Sequence, residues 1–194
     1  MIVINLYSGP CAGKSTLAAD IFTKLKRAGV QAEIPPEVAK IRAQRGDTGF
    51  LEDQLAVFAE THHQLSMTAR SGAQVAVLDS PLLLSLVYAP KSYFGSFPSL
   101  VRDVYDRYEN IDYFLMRSRA HAYSSVGRVH SENQAQGLDA DIVRVLSEQR
   151  LGFRYIDSSE VSAQAVVTDV LKALGKTTAP EIAPQRPRAN LRAA

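Results

Sequence analysis

The chain has 194 residues, 46% hydrophobic and 22% charged, with a formal net charge of +2 and one cysteine. That length and apolar share suit one globular domain with a sizeable core, and the single cysteine excludes an internal disulfide and points to a reducing cytoplasm. No run is long and apolar enough to span a bilayer, and the first residues already read as a strand, so neither a membrane partner nor a signal peptide is expected.

The first strand is the apolar run Ile2 to Leu6, followed by a short Gly/Pro turn and then Gly13, Lys14, Ser15 and Thr16 ahead of helix-forming sequence. This is the layout of a phosphate-binding loop. A tight turn at a helix N-terminus leaves several backbone N–H groups unpaired and aimed at one small volume. Residues Ser8, Gly9, Pro10, Cys11, Ala12, Gly13, Lys14, Ser15 and Thr16 are therefore the expected binding segment for ATP. Lys14 brings positive charge to the β- and γ-phosphates, and the Ser15 hydroxyl is a ligand for Mg²⁺. Ser8 stands where the G-x-x-x-x-G-K-[ST] signature opens, with Gly9 one place later. Cys11 reads as a small loop residue rather than a nucleophile.

Leu17, Ile21 and Leu25 recur at i, i+4 and i+8, predicting a helix over 15–28 that Gly29 stops. Val30 to Ile34 is a short strand ended by Pro35-Pro36. Leu51, Leu55, Phe58 and Leu65 predict one long helix over 51–70. Residues 73–78 form a third, continuously apolar strand closed by Asp79, Ser80 and Pro81; such unbroken runs suit a parallel sheet covered on both faces. Residues 82–96 read as irregular, 98–109 as a helix and Ile111 to Met116 as a fourth strand. A polar, Arg-rich segment, 117–137, comes next. The spacing predicts a helix over 139–151, a fifth strand from Phe153 to Ile156 and a helix over 159–174. The last twenty residues carry three prolines and four basic residues and read as a flexible basic tail, 175–194, which leaves the body slightly acidic.

Five strands separated by helices predict an α/β domain over 1–174, a doubly wound parallel sheet. Ligands bind such sheets beyond the carboxyl ends of the strands, so the residues after each strand are the candidates. Asp79 closes an apolar strand (VAVLD) and suits either Mg²⁺ orientation or proton acceptance from an attacking hydroxyl; the alternative is a turn former before Pro81. Glu37, after strand two, is either a catalytic base or an acid at the start of the next helix. Arg117, Arg119 and Arg128 lie in RSRAHAYSSVGRVH, which contains no acid. Arginines on a closing segment neutralise charge on a phosphoryl group in transfer and exclude water; the alternative is a solvated basic loop. His62 and His63 read as structural or exposed. One Cys and four His make a zinc site unattractive.

A strand-one phosphate loop, a carboxylate after strand two or three and an Arg-bearing lid together resemble the P-loop nucleotide kinases, a group that includes thymidylate and deoxynucleoside kinases. The runs SGPCAGKSTLAADIFTKLK, PPEVAK, VLDSPLLL and FLMR…YSSVGRVHSENQA are similar to bacteriophage P-loop kinases assigned as 5-hydroxymethyluracil DNA kinases. The resemblance spans about residues 1–174. It implies a P-loop kinase fold and γ-phosphoryl transfer from ATP to a hydroxyl of a modified pyrimidine in DNA. Two departures stand out: Cys11 occupies a place where many kinases have Gly, and Ser80 stands where thymidylate kinases have an Asp-Arg pair, which counts against a thymidylate acceptor.

Three function classes follow: a kinase of a nucleobase hydroxyl in DNA, a kinase of free nucleosides or nucleoside monophosphates, and a non-kinase ATPase or switch. The basic tail is compatible with DNA phosphates. Tyr88, Tyr93, Phe94 and Phe97 are candidates to line an acceptor site by stacking on a base, with ordinary packing as the alternative.

Overall fold

The computed structural model describes residues 1–117 and 132–176. Within them the chain runs β1 (Ile2–Tyr7), α1 (Lys14–Arg27), β2 (Ala32–Glu33), α2 (Val38–Gln44), α3 (Thr48–Glu52), α4 (Gln54–Arg70), β3 (Val75–Leu78), α5 (Leu84–Tyr88), α6 (Phe97–Tyr105), β4 (Glu109–Leu115), α7 (Glu132–Glu148), β5 (Arg154–Ile156) and α8 (Glu160–Ala173). The strands form one sheet in the order β2-β3-β1-β4-β5, and every pair is parallel. The doubly wound α/β architecture expected from the alternation is therefore the one observed.

β1 is buried along its whole length, so its alternate side chains feed two cores. Ile2, Ile4 and Leu6 join Leu17, Ile21 and Leu25 of α1 and Val166 and Val170 of α8 on one face. Val3 and Tyr7 join Phe58 and Leu65 of α4, Val101 of α6 and Ile142 and Leu146 of α7 on the other. Burial of apolar area on both faces of the central strands supplies the main drive for this packing. Because β3 and β4 flank β1 on either side, the ends of the three central strands, and the loops that follow them, meet at one edge of the sheet.

Several elements differ from the sequence reading. Strand two shrinks to Ala32–Glu33, because the Val30 N–H donates to Leu25 O at 3.0 Å and so belongs to the turn that closes α1. The single helix expected over 51–70 is broken at Asp53, whose backbone is extended and whose carboxylate accepts from the N–H groups of Leu55 and Ala56 as an N-cap of α4. The segment taken as irregular contains α5, and a further short helix, α2, follows Pro36. α6 ends at Tyr105 rather than 109, so β4 starts two residues earlier than expected. α7 starts at Glu132, within the span assigned to the Arg-rich lid. The rest of that lid, 118–131, and tail residues 177–194 lie outside the described residues. Among the described residues no helix is long and apolar enough to cross a membrane.

Candidate active site

β1 delivers the chain to a loop, Ser8 to Gly13, that turns sharply into α1. Two residues make the turn possible by taking left-handed backbone angles, Cys11 at φ 68° and Gly13 at φ 92°. The first turn of α1 then presents N–H groups that have no partner within the helix. Lys14 folds back over this loop: its Nζ donates to Ser8 O at 2.7 Å and to Gly9 O at 2.9 Å. Enclosing the ammonium in the loop lowers its pKa to about 8; burial is the main cause, opposed by the negative charges of Glu37, Asp79 and Asp139 and assisted by Arg117.

Asp79, immediately after β3, is 9% exposed, and its Oδ2 accepts from the Ser15 hydroxyl at 2.8 Å. Parallel pairing of β1 with β3 sets this contact, since Asn5 is level with Leu78 and both strands release their loops at the same edge. Hydroxyl and carboxylate oxygens are the donors Mg²⁺ selects, and the ion keeps several waters and substrate phosphates in its shell. The described residues hold no cluster of three or more His, Cys, Asp or Glu able to form an all-protein metal cage. Ser15 and Asp79 thus fit the part a protein supplies to a nucleotide-bound Mg²⁺.

A cavity of about 980 Å³ opens in front of the loop, at the upper end of the range for small-molecule sites. Ser8, Pro10, Cys11, Gly13, Lys14, Ser15 and Thr16 line it from the loop, with Asp79 after β3 and Glu37 ahead of α2. Lys40, Thr48, Glu52, Gln54 and Tyr88 line the part that α2 to α5 build. Ala12 turns instead into the core beside Leu17. Glu37 occupies the N-cap position of α2, yet its side chain makes no capping hydrogen bond; it faces the cavity, with Lys40 Nζ at 3.9 Å. Burial, followed by the charges of Glu37 and Asp139, raises the Tyr88 hydroxyl above its usual pKa.

Arg117, just beyond β4, reaches the loop. Its Nη1 donates to Pro10 O at 2.7 Å and its Nε to Asp139 Oδ2 at 2.5 Å. The other carboxylate oxygen of Asp139 accepts from the Gly9 N–H at 2.6 Å. Asp139 was not among the sequence candidates. Its one local signal is position: it precedes Ile142 by three residues and Leu146 by seven, on the buried face of α7. Gln54, Glu52 and Tyr88 are further wall residues supplied by α3, α4 and α5, of which only Tyr88 was singled out. Arg119 and Arg128 lie outside the described residues.

The other aromatic candidates do not line the cavity. Phe97 is 3% exposed and packs edge-on to Phe58 and Tyr93. The Tyr93 hydroxyl donates to Asp53 Oδ1 and accepts from the Leu55 N–H, bracing the start of α4. Phe94 lies tilted against the Tyr93 ring and is largely exposed. His62 stacks on the Phe58 ring, one of the two placements, structural or exposed, read for it in the sequence.

A family model described as an AAA domain matches residues 3–165, and the chain belongs to that family. No curated protein matches the sequence. Among solved structures, deoxyadenosine kinase from M. mycoides with bound dATP superposes with a TM-score of 0.56 at 14% identity, covering 88% of this chain and 99% of that one. The NadR protein in complex with NAD and AMP-PNP superposes at 0.59 with 15% identity, over 92% of this chain but 51% of NadR. YorR from Bacillus subtilis, in complex with phosphorylated GDP, gives 0.50 at 20% identity over 89% and 95%. These likenesses identify the fold as that of the P-loop kinases.

Proposed function

We propose that this AAA-domain protein is an ATP- and Mg²⁺-dependent kinase that transfers the γ-phosphoryl group to a hydroxyl of a nucleoside-class acceptor. One observation carries the reading: the phosphate loop shares a cavity of about 980 Å³ with a separate set of polar residues supplied by α2 to α5, room for an acceptor beside the phosphates. The bound nucleotides of the deoxyadenosine kinase and YorR structures support a nucleoside or nucleotide acceptor.

Each residue then has a task. The loop amides and Lys14 hold the triphosphate, the ammonium exchanging the Ser8 and Gly9 carbonyls for phosphate oxygens. Ser15 and Asp79 would hold Mg²⁺, which would offset the negative charge of the phosphates. Glu37 takes the proton of the acceptor hydroxyl, the freed oxygen bonds to the γ-phosphorus, and the bond to the β-phosphate oxygen breaks to release ADP. Arg117 balances the charge of the moving group, with Arg119 and Arg128 as further candidates.

The charge around the cavity narrows the acceptor. Away from the phosphate loop, Glu37, Glu52 and Asp79 outnumber Lys40 among the described lining residues, which disfavours a second phosphate there and favours an uncharged hydroxyl compound over a nucleoside monophosphate. The sequence resemblance supports the hydroxymethyl group of 5-hydroxymethyluracil in DNA, a base that would leave the duplex to reach the cavity. The volume of the cavity supports a free deoxynucleoside as the second reading.

Labelled ATP with Mg²⁺, offered free nucleosides, nucleoside monophosphates, plain DNA and hydroxymethyluracil-containing DNA, tests both points. Label in a nucleoside or in the modified DNA is expected. Label in monophosphates alone overturns the uncharged acceptor, and ATP hydrolysis with no transfer overturns the kinase. Deleting residues 177–194 should weaken binding to DNA and flatten its salt dependence if DNA is the acceptor.

A further inference from the structure

We propose that Asp139 is a positioning residue, fixing Arg117 against the phosphate loop so that α7 takes part in phosphoryl transfer. The inference rests on the kinase reading above and adds to it a residue to which neither motif nor resemblance assigns a role.

Asp139 bridges two parts of the site that lie far apart in the chain. One carboxylate oxygen holds the Gly9 N–H at 2.6 Å and the other the Arg117 Nε at 2.5 Å. Arg117 closes the ring by donating from Nη1 to Pro10 O at 2.7 Å. Three chain segments, the loop after β1, the end of β4 and the middle of α7, are thereby joined through one carboxylate. The arrangement is sheltered: the Arg117 and Asp139 side chains are 24% and 20% exposed. A charge-assisted contact shielded in this way is stronger and more directional than one in open solvent.

The geometry also serves the chemistry. A guanidinium is planar with five N–H donors in a fixed fork. Holding Nε and Nη1 fixes the plane of the whole group beside the loop. An arginine that must meet charge appearing only in the transition state contributes most when it is already oriented. α7 is a firm base for such a support, since Ile142 and Leu146 are each 1% exposed in the core beneath. The negative charge of Asp139 reaches further into the site, acting on both Lys14 and Tyr88.

Kinetics of Asp139→Asn, Asp139→Glu, Arg117→Ala and the Asp139→Asn/Arg117→Ala double variant test the proposal. The Asn variant keeps shape and packing but removes the charge. It should lower kcat about tenfold or more while KM for ATP moves less than about threefold, as expected when an interaction made in the transition state is lost. Asp139→Glu should recover part of the rate. The double variant should be no slower than Arg117→Ala alone, because Asp139 acts through Arg117. Unchanged kcat in Asp139→Asn, or losses that multiply in the double variant, overturn the proposal. So does a rate loss that tracks a fall in Tm and disappears on cooling. A wild type that binds ATP yet labels no acceptor overturns the kinase reading instead; the same four variants are then compared by ATP hydrolysis, where the same pattern or its absence decides the role of Asp139.

Discussion

The Ser15 hydroxyl donates to Asp79 Oδ2 at 2.8 Å, joining the first turn of α1 to the end of β3. The contact sets the spacing of two oxygen donors before any nucleotide arrives, which is the arrangement a phosphate-bound Mg²⁺ uses. Asp79→Asn keeps the shape and removes the charge. Turnover should fall about tenfold to a hundredfold, the usual cost of losing a metal-supporting partner, and half-maximal rate should need more Mg²⁺. A magnesium titration of initial rates checks this; wild-type kcat with an unshifted titration would remove Asp79 from the site.

Lys14 makes the site pH-sensitive in a defined direction. Its pKa is lowered from 10.5 to about 8, so the ammonium loses its proton as pH rises through about 8. Phosphate oxygens favour the charged form and raise the pKa again. ATP binding should therefore take up a proton between about pH 8 and the ordinary lysine range, and KM for ATP should climb above pH 8. Calorimetry in buffers of different ionisation enthalpy measures the uptake, and Lys14→Ala should abolish it together with turnover. The same shift has a stability consequence. Between the two pKa values the unfolded chain holds more protons than the folded one, so the fold gains stability as pH rises across that window. Lys14→Met should flatten that slope in urea titrations.

The placement of the phosphate loop and Asp79 was legible in the sequence because its signals are local. An unbroken apolar strand, a turn and a period-3.6 helix place Gly13, Lys14 and Ser15 without help from the rest of the chain, and VAVLD places Asp79 at a strand end. The failures share the opposite cause. In LLLSLVY the residues Leu82 to Ser85 are buried almost all round, so no polar face marks the helix α5. Asp53 looked like a polar residue within a helix, whereas its carboxylate starts a new one. Asp139 meets Gly9 across 130 positions, and nothing near either residue announces the other. The part of the cavity away from the loop is assembled from three short helices and the first half of α4, so its composition could be read only after the fold was known.

A buried polar group beneath the loop offers a test of stability. Asp112 on β4 is 7% exposed; it accepts from Asn5 Nδ2 at 2.9 Å and from the Tyr105 hydroxyl at 2.5 Å. Burial raises its pKa, and the bonds from Tyr105 and Asn5 oppose the rise. Asn5→Leu removes one donor and should cost about 1–3 kcal/mol in urea unfolding. Because the folded pKa is raised, the folded state holds more protons than the unfolded one just above the ordinary Asp range. This group's contribution is thus complete below that range and is lost as pH rises through the folded value. Asp112→Asn should remove that part of the pH dependence; an unchanged profile would show that Asp112 does not titrate in the fold.

Cys11 and Gly13 share a left-handed backbone but should respond in opposite ways to substitution. A Cβ on Gly13 would lie 2.8 Å from the Ser158 Cβ and 2.9 Å from its Oγ, at φ 92°. Gly13→Ala must therefore push the loop after β5 away or deform the phosphate loop, and both ATP binding and Tm should fall. Cys11 already carries a Cβ at φ 68°, a conformation that costs an L-residue about 1–2 kcal/mol. Cys11→Gly relieves that cost and loses about 0.5–1 kcal/mol through the freer unfolded chain. The net result should be a Tm equal to or slightly above wild type, with turnover retained. The departure from Gly at this position is then a tolerated strain rather than a requirement of the chemistry, and a Cys11→Gly variant that folds normally but turns over more than about tenfold slower would assign the thiol a role in the reaction.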